Sequence, residues 1–204
     1  MLGDHPCVVR LVRFIVVAQR RDVIVTLQFS FELPTLRVDS PAEFVTSEAI
    51  ADIAHAAEAA GYGAVHVTDH PAPDTRWLDH GGHHALDPFV ALSFAAASTS
   101  SINLLTNIYV AAYRNPFLGA KLIQSLDVLS NGRLILGTGA GYLKPEFRAL
   151  GVDFDSRVHC STRRWKCWPR SIPATTSRTR VRASRLAGFV SALYHAVSHI
   201  RRCG

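Results

Sequence analysis

No aspartate or glutamate occurs among residues 158–204, although nine arginines and one lysine do. That stretch is therefore +10, while the whole chain is +6 and residues 1–157 sum to −4. Cysteine is missing from residues 25–157; the four in the chain are Cys7, Cys160, Cys167 and Cys203. Its absence there excludes disulfides and thiolate metal sites from the central part. No stretch approaches the ~20 apolar residues that a membrane-spanning helix needs. Near the N-terminus, Arg13 interrupts an apolar region that is already short, and no small-residue cleavage site follows, so the segment makes a poor secretory signal.

These absences divide the chain into three parts: 1–24, 25–157 and 158–204. Residues 1–24 read as an extension upstream of the true start, with a signal-anchor as the alternative, and Val25 opens a clean strand. The basic tail has three readings. Runs such as Arg163-Arg164-Trp165-Lys166 suit a nucleic-acid arm with aromatics for stacking. A solvated terminus is the second reading. The third is a shifted reading frame: with suitable codons, the alternative frame from Arg157 to Thr176 carries leucine and valine at helical spacing and then a turn. The expectation is a frameshifted, poorly packed tail with its cysteines unpaired. The basic charge is then no sign of nucleic-acid affinity.

Residues 25–157 carry eight basic and fourteen acidic side chains, a composition that suits a cytoplasmic enzyme. They repeat one unit. Strands are predicted at Leu27–Phe31, Ala64–Thr68, Ile102–Thr106 and Arg133–Gly137. Between them, helices open at Ser40-Pro41, Asp87-Pro88 and Asn115-Pro116, each a capping residue followed by a proline that suits the first helical turn. Glu43 completes a capping box with Ser40, Gly61 stops the first helix and Asn131-Gly132 the third. Strands alternating with helices at this period imply parallel βαβ units. Two architectures fit, a doubly wound sheet or the N-terminal half of a (β/α)8 TIM barrel; four units cannot close eight strands.

In both architectures chemistry belongs beyond the carboxyl ends of the strands. Asp69-His70 is the sharpest candidate there, since a histidine beside a carboxylate can act as acid or base near neutral pH; a loop-capping histidine is the alternative. Gly137-Thr138-Gly139-Ala140-Gly141 fails as a dinucleotide loop because Tyr142 stands where a third glycine belongs. Its glycines either admit a ring or phosphate to the backbone or make a tight turn. His80, His83 and His84 lack helical metal-ligand spacing, and no metal is expected. Trp77 suits a lid over a flat ligand or packing on the rim.

Taken together, Val67-Thr68-Asp69-His70-Pro71, Asp87-Pro88-Phe89, Tyr113-Arg114-Asn115-Pro116-Phe117, Leu126 to Arg133, and Leu136 through Tyr142 to Glu146-Phe147 and Leu150 to Phe154 form a set. The set resembles the luciferase-like monooxygenase superfamily, and within it the branch that uses coenzyme F420, a deazaflavin. The resemblance implies a TIM barrel that passes hydride between a deazaflavin, or alternatively FMN, and a small organic substrate. His70, with Asp69 beside it, then matches the histidine set against the ring. Thr106 and Asn107 fall where relatives have a non-prolyl cis peptide, and Gly139, Gly141 and Tyr142 match the fourth-strand loop near the reacting face. Some relatives carry a glutamate acid at the position of Tyr142. The parent is expected to be a homodimer, with neither nucleic acid nor membrane as a partner, and the chain as given to be inactive.

Overall fold

The computed structural model describes residues 28–159; the expectations for 1–24, and for all but the first two residues of 158–204, lie outside them. Four strands form one sheet: β1 (Ser30–Glu32), β2 (Ala64–Val67), β3 (Asn103–Val110) and β4 (Leu134–Gly139). All neighbours are parallel and the order is β1-β2-β3-β4. A doubly wound sheet reverses its strand order at a switch point. Here each strand joins the same edge. The helices α2 (Ser47–Ala59), α4 (Pro88–Ser98) and α5 (Pro116–Leu129) pack in succession, α2 on α4 and α4 on α5. Uniform progression with a row of helices is the wall of a (β/α)8 barrel, of which the described residues supply four strands.

The core lies between that row and one side of the sheet. Ile50, Ala54 and Ala57 recur at helical spacing on α2, Leu92 and Ala95 line α4, and Ala120, Ile123 and Leu126 line α5. They meet Val65, Val67, Leu104, Leu134 and Leu136, alternate residues of β2, β3 and β4. Every residue of β2 is buried, as expected of a strand covered on both faces.

Proline and its capping residue set two helix starts as predicted. Asp87 accepts from the amides of Phe89 and Val90, and Asn115 from those of Phe117 and Leu118. The first start differs. Ser40-Pro41 opens only the short α1 (Pro41–Phe44), and the Ser40 side chain makes no capping bond. Thr46 caps the long helix α2, its hydroxyl accepting from the Ala49 amide at 3.1 Å. An additional helix, α3 (Thr75–Asp79), lies in the loop after β2 and is capped by Asp74. β3 runs past the predicted Thr106 to Val110 because a register shift between Thr106 and Tyr109 absorbs the irregular residues and pairing then resumes.

Two charged side chains fix the turn that feeds β3. Glu58, near the end of α2, accepts from the amides of Ser100, Ser101 and Ile102 and from the Ser101 hydroxyl, at 2.5–3.3 Å. Those bonds, led by the Ile102 and Ser101 amides, push its pKa down to about 2. Arg133 donates to the carbonyls of Ala96, Ile102 and Ser130 and to the Thr99 hydroxyl. Among the described residues no helix is long and apolar enough to cross a membrane.

Candidate active site

Beyond the carboxyl end of β2, successive side chains part company. Asp69 is buried and its carboxylate accepts from both terminal nitrogens of Arg114, at 2.6 and 2.7 Å, and from the Val110 amide at 2.9 Å. Arg114 also reaches Asp87 Oδ2 at 3.1 Å, while Asp87 Oδ1 caps α4. Burial works against the charge on Arg114, but the bonds and charge of Asp69, with the charge of Asp87, outweigh it and raise its pKa. One arginine thus joins the ends of β2 and β3 to the start of α4.

His70 points elsewhere. Its Nδ1 lies 3.2 Å from Glu146 Oε2, on the helix α6 (Lys144–Ala149). Glu146 is fully buried; its Oε1 is 3.2 Å from the Ala72 amide, and its Oε2 accepts from the Tyr113 hydroxyl at 2.8 Å. Tyr113 closes the short 3-10 turn Ala111–Tyr113 that follows β3. Burial, then the bond to Glu146, raise the Tyr113 pKa, so its hydroxyl remains a donor.

Rings surround His70. Trp77 lies against it with centroids 4.6 Å apart, His83 at 5.0 Å and Tyr142 at 6.0 Å. The loop after α3 crosses so close to Trp77 that a Cβ on Gly82 would sit 2.5 Å from the indole. The three loop histidines do not gather. His80 Nδ1 bonds to the Arg76 carbonyl and His83 Nδ1 to the His84 carbonyl, and among the described residues no metal-ligating cluster of three forms.

The ends of β3 and β4 form a wall beside these rings. The peptide between Asn107 and Ile108 is cis, one bond beyond the Thr106-Asn107 pair that the resemblance pointed to. Thr106 is buried and its hydroxyl donates to the Gly137 carbonyl at 2.8 Å. A Cβ at Gly137 would collide with the Thr106 carbonyl, and one at Gly139 with the Ile108 side chain. The nearest atoms that call for glycine at 137 and 139 therefore belong to the neighbouring strand. At Gly141 the backbone is left-handed, with φ of +77°, and a Cβ would also press on Val110 and Phe147. Asn107 is half-buried, Ile108 is exposed and Tyr142 is 64% exposed, so this wall offers apolar and aromatic surface.

His70 and Tyr142, from different strand ends, thus meet at one mouth, with Glu146 behind the histidine. Asp69 and Thr106 lie at the same end but are engaged by Arg114 and by the Gly137 carbonyl. Glu146, Tyr113 and Arg114 were given no individual roles in the sequence reading. One signal does point to Glu146: it shares a face with Leu143, Phe147 and Leu150, and an acid on the apolar stripe of a helix needs buried donors.

Known proteins resemble this chain in sequence or in fold. The F420-dependent hydroxymycolic acid dehydrogenase of Mycobacterium tuberculosis (strain ATCC 25618 / H37Rv) is 38% identical over 100 residues, covering 48% of this chain and 26% of that protein. Monooxygenase RslO1 from Streptomyces bottropensis superposes with a TM-score of 0.51 at 26% identity, over 68% of this chain and 43% of that one. The fold alone is shared with the oxygenating constituent of 3,6-diketocamphane monooxygenase from Pseudomonas putida, a type II Baeyer-Villiger enzyme in complex with FMN. There the TM-score is 0.53 at 19% identity, over 66% of this chain and 36% of that one. The chain spans about a quarter to a third of the length of the curated relatives it matches. Residues 29–160 match the luciferase-like monooxygenase family. This chain belongs to that family, whose fold its four parallel strands display.

Proposed function

We propose that residues 28–159 are the ring-binding part of an F420-dependent oxidoreductase, with His70 as its proton-handling residue. The observation that carries the reading is the mouth itself: an imidazole backed by a buried carboxylate and walled by Trp77 and Tyr142. Similarity to an F420-dependent dehydrogenase favours the deazaflavin over FMN. The residues present fit a flat ring. Ile108 and Tyr142 expose apolar and aromatic surface, and Gly139 and Gly141 add no side chain to the wall between them. Asn107, Gly139, Gly141 and Tyr142 would hold the ring, with Thr106 buried behind them and fixing the wall through the Gly137 carbonyl; hydride chemistry is what the deazaflavin supplies when bound.

The other roles fall to the chain. His70 exchanges a proton with the substrate, Asp69 and Arg114 hold the strand ends in place, and Trp77 covers the histidine. TIM barrels commonly hold phosphate on the loops of later units, so residues 28–159 by themselves are expected to hold the ring and to grip the whole of F420 weakly. Positioning of reactants is worth up to ~7–11 kcal/mol, which a partly held cofactor forfeits. Titration with oxidised F420 and with FMN tests the reading, comparing this chain with a version restored to the alternative frame after Arg157. The restored version is expected to bind F420 in preference to FMN and more tightly than this chain does. A preference for FMN, or tight F420 binding and turnover by the 204-residue chain, would overturn the reading.

A further inference from the structure

We propose that Glu146 is a positioning residue that fixes the tautomer of His70, placing the proton on Nδ1 and leaving Nε2 as the ring's acceptor. The inference rests on the role given to His70 above. An ionised carboxylate only accepts hydrogen bonds. Oε1 faces the Ala72 amide and Oε2 the Tyr113 hydroxyl, and both of these groups donate. Nδ1 completes the set at 3.2 Å, where a donating N–H fits and a bare nitrogen would face an oxygen lone pair.

The geometry gives each partner a separate task. Ala72 anchors one oxygen through a backbone group that cannot turn away, two residues from the histidine it serves. Tyr113 anchors the other oxygen from the β3 end. The carboxylate, fully buried on α6, is thereby held in one orientation against an imidazole whose side chain is only 10% exposed. The step it serves is a single proton transfer. A substrate O–H or N–H gives its proton to Nε2, the bonding electrons stay on the substrate, and the positive charge left on the ring faces Glu146. A carboxylate behind a histidine base acts in the same way in hydrolytic triads.

Nitrogen-15 NMR of the full chain, labelled on histidine and assigned by comparison with His70→Gln, tests this without any cofactor. At a pH where the ring is neutral, Nδ1 is expected at the protonated position and Nε2 at the unprotonated one. In Glu146→Gln the Ala72 amide pins the new side chain's oxygen at the Oε1 place. The NH2 group then faces Nδ1, and the two resonances are expected to exchange positions. Tyr113→Phe removes an anchor but not the acceptor, and is expected to keep the wild-type pattern. Protonated Nε2 in the wild type, an unchanged pattern in a folded Glu146→Gln, or an exchanged one in Tyr113→Phe would each overturn the proposal. Should Glu146→Gln fail to fold, the wild-type pattern and Tyr113→Phe still decide it. Because no cofactor is added, a failure here is distinct from a failure to bind F420.

Discussion

Replacing Glu58 by glutamine should weaken the fold in a pH-dependent way. A carboxyl moved from its ordinary 4.5 to about 2 prefers the folded, ionised state by about 3 kcal/mol, at ~1.4 kcal/mol for each factor of ten. Glu58 is only half-buried, so solvent screening reduces that figure to ~1–2 kcal/mol. The folded pKa lies below the unfolded one. The stabilisation is therefore complete above about pH 4.5 and disappears as the pH falls through 2, with more than half gone by about pH 3. Glutamine keeps an acceptor oxygen and the side-chain shape but cannot titrate. Urea denaturation of both proteins between pH 7 and pH 3 isolates the effect, because every other titrating group is common to the two. The expected gap is ~1–2 kcal/mol at pH 7, narrowing steadily below pH 4.5. A gap of the same size at both ends of that range would show that the turn is held by packing and not by the charge.

Gly137→Ala places a methyl group on the Thr106 carbonyl and is expected to cost ~1–3 kcal/mol or more, because backbone must move. Gly61→Ala is the control: it has open space around it but a φ of +81°, and should cost about 1–2 kcal/mol through conformation alone. Chemical denaturation of the pair reads the difference, and equal costs would remove the clash argument. Asp69→Asn removes the bidentate carboxylate partner of Arg114 in a largely buried setting, and should destabilise by ~3–5 kcal/mol. A loss under about 1 kcal/mol in the same assay would refute the view that this pair fastens the strand ends.

The βαβ repeat was legible because local chemistry writes it twice, as hydrophobic period and as cap-plus-proline. Asp87-Pro88 and Asn115-Pro116 needed nothing from the rest of the fold. At the first helix the same signature misled. Ser40-Pro41 carries the stronger local signal, yet the chain turns again and the packed helix starts after Thr46, a choice made by docking against α4. β3 extends beyond its predicted end because a register shift interrupts alternation, and β4 because glycine reads as loop when its neighbour lies in another strand. At the site, adjacency in sequence makes Asp69 and His70 look like a pair. In an extended chain adjacent side chains point to opposite sides, so one went to Arg114 and the other to Glu146. Partners 45 and 76 residues away are set by topology, which no local pattern encodes.

That last separation has a consequence in time. A ribosome adds roughly 5–20 residues per second, so the 76 residues between His70 and Glu146 take about 4–15 s to make. Throughout that interval the imidazole has been synthesised and its carboxylate has not. Glu58 meets the Ser100–Ile102 turn, and Asp69 meets Arg114, well before residue 146 emerges. The first three strands therefore acquire their fastenings in order of synthesis, while His70 has Trp77 and His83 beside it and still lacks its carboxylate. Tyr142 and Glu146 are thus the last of the mouth's named side chains to be made.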